Sequence, residues 1–416
     1  YTNRCYGRFS SIYHSFRLIM LTLTKALQQS FILNASKGRV LASPTITYIN
    51  TPVNIPEDYA TLQAALDAEV VGKTWASSTT ITGTVSSTIG SEAVTGSGTA
   101  FLSEVSADTA ITMDGETYIV RDVTDDANLR LWAGADKTSS GVAGVVKVPT
   151  KVTLLTANAD NTLQGTVPDG VSLQIVGTDI YNKWTGVAAT SLVHSDFAII
   201  EIHNLTLEVV ASIPALVTSD TWGIGATARG VFRASRLNCL NQTNETVGWF
   251  LIQGSAVEIS YITAQKWKAN FICDYLNVDN VGSHNAIDDD VMLMAIPASA
   301  TARDIAYSHD VSNYAVHKHV ATIGTANFNG GLEWNTWAAS KVANITDTYC
   351  VTNSVGAGAG PSYPVWLSAS GGGTFNFTDC TFDTNSAVEE IVNRSVATVN
   401  LTNAFRLDGT TDARVA

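Results

Sequence analysis

From residue 199 to the C-terminus, short runs alternate apolar and polar positions and then stop at Asn, Asp or Gly. Ile200-Glu-Ile-His-Asn-Leu-Thr-Leu207, Val257-Glu-Ile-Ser-Tyr-Ile-Thr263 and Val399-Asn-Leu-Thr-Asn403 all follow this rule. Ile345-Thr-Asp-Thr-Tyr-Cys-Val-Thr-Asn353 and Phe377-Thr-Asp-Cys-Thr-Phe-Asp-Thr-Asn385 echo each other almost position by position. Each run reads as a strand followed by a turn. Recurrence at roughly 20–35 residues predicts a solenoid with one coil per repeat. A single coil cannot bury its own apolar face, so the coils must stack.

Upstream the pattern changes twice. Tyr59, Leu62, Ala65 and Leu66 recur on one helical face, which predicts a helix within residues 53–72. Pro56 suits its first position, Glu57 and Asp58 its first turn, and Gly72 its end. Residues 74–148 hold short Thr- and Val-rich runs, with an Asp-Gly hairpin signal at Met113-Asp-Gly-Glu116. They predict a small antiparallel barrel or sandwich. In residues 1–50, Leu21, Leu23, Leu27 and Phe31 make one apolar side of a helix with no obvious internal partner. That segment either packs on its own domain or is an arm that docks on a larger assembly. Two long loops are expected at residues 281–302 and 355–364.

Composition narrows the function. Of 416 residues, 45% are hydrophobic and 15% charged, which allows a large core beneath a weakly charged surface. A net charge of −13 argues against nucleic acid, whose binders need a basic face. The five cysteines are widely spaced and form no Cys-x-x-Cys, so a zinc site is not expected and buried free thiols are. No apolar run reaches the length of a membrane span. No phosphate-binding loop, nucleophile elbow or cofactor motif is present.

Three groups carry candidate chemistry. Asp288, Asp289 and Asp290 form the densest acidic cluster, readable as a solvated or ion-binding turn. His309, His317 and His319 lie close together, and a His-x-His pair on a strand can face one way; surface or subunit-contact histidines are the plainer reading. Trp334, Asn335, Trp337 and Trp366 suit glycan binding, because indole faces stack on sugar rings and an amide bonds hydroxyls. Packing between loops or subunits is the alternative for these tryptophans. Most of the sequons at Asn204, Asn241, Asn244, Asn344, Asn376 and Asn400 are read as stacked Asn ladders in the turns.

The run from Asn54 to Ala68 resembles the helix that opens pectate-lyase-like parallel β-helix proteins, where it covers the end of the solenoid. Residues 151–155 and 163–177 resemble the first coils of that family. Residues 74–148 resemble a short β module found in many bacteriophage virion proteins. Together these resemblances imply an all-β chain: a right-handed, single-stranded parallel β-helix with an N-terminal cap helix and an inserted small antiparallel β domain. The implied divisions are an arm at 1–50, a cap at 51–73, an insertion at 74–148 and the β-helix at 149–416. The implied protein is a bacteriophage tailspike, tail-fibre or decoration protein of the virion. It would assemble as a homotrimer, attach to other virion proteins through residues 1–50 and recognise a host-surface polysaccharide. Enzymatic members of the family cleave glycosidic bonds with paired carboxylates. The run Asp288–Asp290 is similar to their paired-Asp motif, and His309 falls where they carry a histidine. Their Gly-His-Gly, Arg-Ile-Lys and Asn-Thr-Asp motifs are absent, so non-enzymatic attachment ranks ahead of depolymerisation. A purely architectural virion role is the third reading.

Overall fold

A computed structural model describes residues 46–187, 191–210, 216–220, 229–241, 248–265 and 268–283, then strand segments between residues 293 and 406. The chain divides into two compact units, Tyr1–Thr47 and Tyr48–Ala416, and all the described strands and helices belong to the second.

The second unit is a parallel β-helix. Its main face is formed by seven strands: β1 (Pro52–Ile55), β2 (Thr150–Thr156), β3 (Val171–Gly177), β4 (Ile199–Val209), β5 (Val231–Asn241), β6 (Gly248–Gln265) and β7 (Lys268–Ser283). Each pairs in parallel with the next. A second face joins Asp160–Asn161 to Lys183–Gly186 and then to the far half of β4. A third runs through Gly165–Val167, Leu192–His194 and Val217–Ser219 into the start of β6. Register partners on successive coils are 27, 32 and 25 residues apart at Gln174–Glu201, His203–Ser235 and Arg233–Glu258. The strand rungs are matched while the connections between them vary in length.

The core follows from period-two alternation. Leu173, Ile200, Phe232, Val257 and Leu276 stack in one inward column, and Leu154, Ile175, Ile202, Ala234 and Ile259 in the next. Phe232, Phe250 and Phe271 continue the interior with ring centroids 4.9 and 6.5 Å apart. Cys239, Cys273 and Cys380 are buried and form no disulfide.

In β4, β5 and β6 the corner between the first two faces is made by a single residue. Asn204, Arg236 and Tyr261 adopt φ of 56°, 55° and 53°, and the next residues, Leu205, Leu237 and Ile262, turn back into the core. One left-handed residue is enough to redirect a strand onto the next face. Asp379 and Asn403 repeat the device near the C-terminus, where Asn403 Nδ2 donates to Asp379 Oδ1 at 2.9 Å. The polar–Asn/Asp–apolar endings of the sequence runs are these corners.

The helix is shorter than its pattern suggests. It spans Leu62–Glu69 (α1), with Thr61 capping the Ala64 N–H at 3.1 Å. Residues 52–55 are strand instead, because pairing with β2 captures them. Pro56, Glu57 and Asp58 therefore precede the helix, and Asp58 accepts a hydrogen bond from the Asn54 N–H at 2.8 Å. Leu62, Ala65 and Leu66 still bury against the first coils, and burial of each leucine is worth roughly 1.5–3 kcal/mol. The Gln63 side-chain amide donates to the Gln164 carbonyl at 2.9 Å and accepts from its N–H at 2.8 Å. It supplies the rung that a preceding strand would otherwise provide.

Between α1 and β2, eight antiparallel strands from Ser77–Thr80 to Gly144–Val148 form a separate sheet with its own core around Val85, Val94, Phe101, Tyr118, Val120 and Leu131. The hairpin at Met113–Glu116 turns through Asp114 and Gly115, both at positive φ, as a two-residue hairpin loop requires.

Beyond β7, three four-stranded parallel sheets continue the solenoid through strands such as Gly330–Asn335, Val342–Thr346 and Tyr349–Ser354. The expected loop at 281–302 is partly strand: β7 extends to Ser283, and Leu293–Ala295 is a strand within it. Asn344, Asn376 and Asn400 form a ladder with contacts of 2.9 and 2.8 Å. It runs along strands rather than turns, because the three residues are register partners.

Candidate functional site

The outward side of the main face carries three parallel rows, each set by strand register. The first is Ile199, Val231, Ala256 and Tyr275. These apolar side chains would lie bare on an outer surface, but the inserted domain covers them with Ile119 and Trp132. Trp132 and Tyr275 meet at a centroid distance of 5.1 Å.

The second row is Gln174, Glu201, Arg233, Glu258 and Asn277. It forms a hydrogen-bonded chain along the solenoid axis. Gln174 Nε2 donates to Glu201 Oε2 at 2.8 Å, Arg233 Nη1 to Glu201 Oε1 at 3.0 Å, and Arg233 Nε to Glu258 Oε2 at 2.7 Å. From the inserted domain, Asp108 receives Nη1 and Nη2 of the same guanidinium, both at 2.9 Å. Arg233 is thus shared by three carboxylates and also packs 5.7 Å from the Trp132 ring. A bidentate fork with a carboxylate is the geometry arginine serves best. Arg229 makes a second clamp one strand-end away, donating to the Thr117 carbonyl, to Glu116 and to Asp136, with its guanidinium 4.5 Å from the Tyr118 ring.

The third row is His203, Ser235 and Ser260. The inserted domain leaves it open. With Arg233, Glu258 and Asn277 it lines a cleft of about 250 Å³. His203 Nδ1 lies 2.8 Å from Ser235 Oγ, and its Nε2 lies 3.4 Å from Glu201 Oε2.

The electrostatics follow from this packing. Burial alone pushes the Glu201 carboxyl up, but the His203 hydrogen bond, the Arg233 charge and the Gln174 amide outweigh it and hold the group at about 2. Burial likewise pulls Arg233 down, and its carboxylate partners, Asp108 first, more than reverse that. Glu201 is therefore an ionised acceptor at neutral pH. It is poorly suited to protonating a glycosidic oxygen, which needs a carboxylic acid.

Asp288, Asp289, Asp290, His309 and Trp337 fall outside the described residues. Trp334 and Asn335 end the strand Gly330–Asn335, and Trp366 sits on the adjoining strand Tyr363–Leu367. Register places Trp334 beside Leu367, and Trp366 beside Glu333. His317 and His319 lie on the strand Ala315–His319. Among the described residues no three His, Cys, Asp or Glu side chains gather as a metal site requires, and no helix is long and apolar enough to cross a membrane.

No family model matches the chain, and no curated protein matches it. Among solved structures, the tailspike protein gp49 from Pseudomonas phage LKA1 is similar over 79% of this chain and 61% of its own, with 10% identity and a TM-score of 0.30. The gp54 tailspike of Acinetobacter baumannii bacteriophage AP22, in complex with A. baumannii capsular saccharide, is similar over 80% of this chain and 67% of its own, with 10% identity and a TM-score of 0.22. This chain thus spans 61% of the length of the first. At such values the fold assignment stands on strand register rather than on superposition.

The cleft corresponds to no sequence motif, because its members are spread over four coils. A signal did exist. Ile200-Glu-Ile-His203, Phe232-Arg-Ala-Ser235 and Val257-Glu-Ile-Ser260 place a charged and then a small polar or imidazole side chain at the same offsets in each repeat. Tyr181, 80% exposed beside the second face, was also not singled out, and it presents a ring of the kind that stacks on sugars.

Proposed function

We propose that this chain is a bacteriophage virion protein of the tailspike or tail-fibre kind, which presents its β-helix to a polysaccharide on the host surface. The observation that carries this reading is the open polar cleft on the outward face of the stacked coils, lined by side chains from four successive strands. Hydroxyl, amide, imidazole and carboxylate groups there match the alternating donors and acceptors of sugar hydroxyls. The phage-like pattern of residues 74–148 and the capped β-helix support the virion assignment. Trp334, Asn335, Trp337 and Trp366 are further proposed glycan contacts. Residues 1–50 are the proposed attachment to other virion proteins, and a homotrimer is the proposed assembly.

The test is retention of the full chain on a panel of bacterial capsular and lipopolysaccharide glycans. Binding to one polysaccharide is expected, weakened about tenfold, or roughly 1.4 kcal/mol, by Trp334→Ala. Silence across the panel, with tight incorporation into particles, would replace this reading with an architectural role.

A further inference from the structure

The open row sets a hydroxyl, an imidazole and a carboxylate in series across two adjacent coils. Ser235 and His203 are register partners on β5 and β4, with Oγ and Nδ1 2.8 Å apart. Glu201 lies two positions before His203 on the same side of β4, its Oε2 3.4 Å from Nε2. An ionised carboxylate can only accept, so in a neutral imidazole the proton belongs on Nε2. That leaves the Nδ1 lone pair facing the Ser235 hydroxyl. Gln174 and Arg233 fix the Glu201 carboxylate from its other sides, at 2.8 and 3.0 Å. Ser235 and His203 are half-buried and line the cleft, while Glu201 is buried. Ser235 and His203 thus face the cleft and Glu201 backs the imidazole, the nucleophile, base and orienting group that acyl transfer requires.

We propose that Ser235, His203 and Glu201 hydrolyse carboxylic esters, the substrate class being short acyl groups carried on sugar hydroxyls. Ser235 Oγ attacks the ester carbonyl carbon while His203 Nδ1 takes the hydroxyl proton. The bond from the acyl carbon to the sugar oxygen breaks, and that oxygen leaves with the proton His203 returns. Water, deprotonated by the same nitrogen, then attacks the acyl-serine, releasing the carboxylic acid and restoring the Ser235 hydroxyl. Asn277 and Ser260 line the same cleft and carry the N–H and O–H donors for the carbonyl oxygen. A cleft of about 250 Å³ has room for a short acyl chain. The sugar part of the substrate rests on the glycan-binding reading; the ester chemistry rests on the side-chain geometry.

The full chain is to be assayed for p-nitrophenyl acetate hydrolysis and for covalent capture by a fluorophosphonate probe, with the modified peptide mapped. Capture at Ser235 is expected, with hydrolysis above buffer. Ser235→Ala should abolish capture and lower kcat by about 10³-fold or more, with an unchanged circular dichroism spectrum. Glu201→Gln, a change at a positioning residue, should lower kcat while KM holds and Ser235 is still captured slowly. The proposal is overturned if the folded wild-type chain shows neither capture at Ser235 nor hydrolysis, or if Ser235→Ala keeps its rate. Ester turnover without polysaccharide binding would keep the ester chemistry and sink the glycan reading together with the sugar part of the substrate. Polysaccharide binding without turnover would do the reverse.

Discussion

Consider replacing Arg233 by Met. The stem's packing is largely kept, and the charge shared by Asp108, Glu201 and Glu258 is lost. Removing one partner from a buried ion cluster typically costs about 3–5 kcal/mol, because the remaining charges stay desolvated. Glu201 gives an independent scale. Its carboxyl is held at about 2 against an ordinary value of 4.5. At about 1.4 kcal/mol per unit, that is roughly 3 kcal/mol of stability at neutral pH. His203 and Gln174 keep part of it, so the Glu201 share of the loss is smaller, and the strain on Asp108 and Glu258 adds to it. A net loss of about 3 kcal/mol at pH 7 is expected. The pH dependence has a definite sign. A carboxyl with a depressed folded value stabilises above its unfolded value, and that stability fades as pH falls from 4.5 towards 2. The gap between wild type and variant should therefore narrow across this window. Urea unfolding followed by circular dichroism at pH 7 and pH 3 measures it, with unfolding rates in place of midpoints where refolding is incomplete. A loss below 1 kcal/mol at pH 7, or an equal loss at both pH values, would refute the reasoning.

Further outcomes follow from single features. Gly177→Ala should destabilise by more than 1 kcal/mol, because an added Cβ would lie 2.2 Å from the Asn204 carbonyl oxygen on the next coil; a lowered thermal midpoint checks it. Arg236→Asn should stabilise by roughly 0.5–1 kcal/mol, because Asn tolerates the left-handed corner better than Arg; the same melting assay decides. His194 is fully buried, and burial lowers its proton affinity in the folded state. The unfolded chain then binds a proton that the folded chain refuses, so stability should fall as pH drops below 6.5. His194→Gln should flatten that slope between pH 7 and pH 5, as read from thermal midpoints.

Much of the solenoid was legible because its two rules are local. Alternation sets which side chains face inward, and one Asn or Asp after a polar residue marks a corner, as at Asn204, Asp379 and Asn403. Arg236 and Tyr261 occupy the same corner without that signature. There the stacked neighbours impose a conformation that the residue itself disfavours. The start of α1 was misplaced because pairing of residues 52–55 with β2 is non-local, and a proline before a helix does not reveal it. The cleft was illegible as a motif for the same reason: Glu201, Arg233 and Glu258 are ordinary outward positions until register brings them side by side. Docking of the inserted domain was hidden more deeply. Outward Ile199 and Val231 gave its apolar footprint, but nothing in residues 74–148 names their partner.

That footprint bears on how the molecule comes apart. Coils that touch only their neighbours can peel away one at a time. Here Ile119, Trp132 and Asp108 rest across β4, β5, β6 and β7 at once. The inserted domain acts as a splint over four rungs, which must release together or not at all, and a protease probing this stretch should find no partly frayed form to cut.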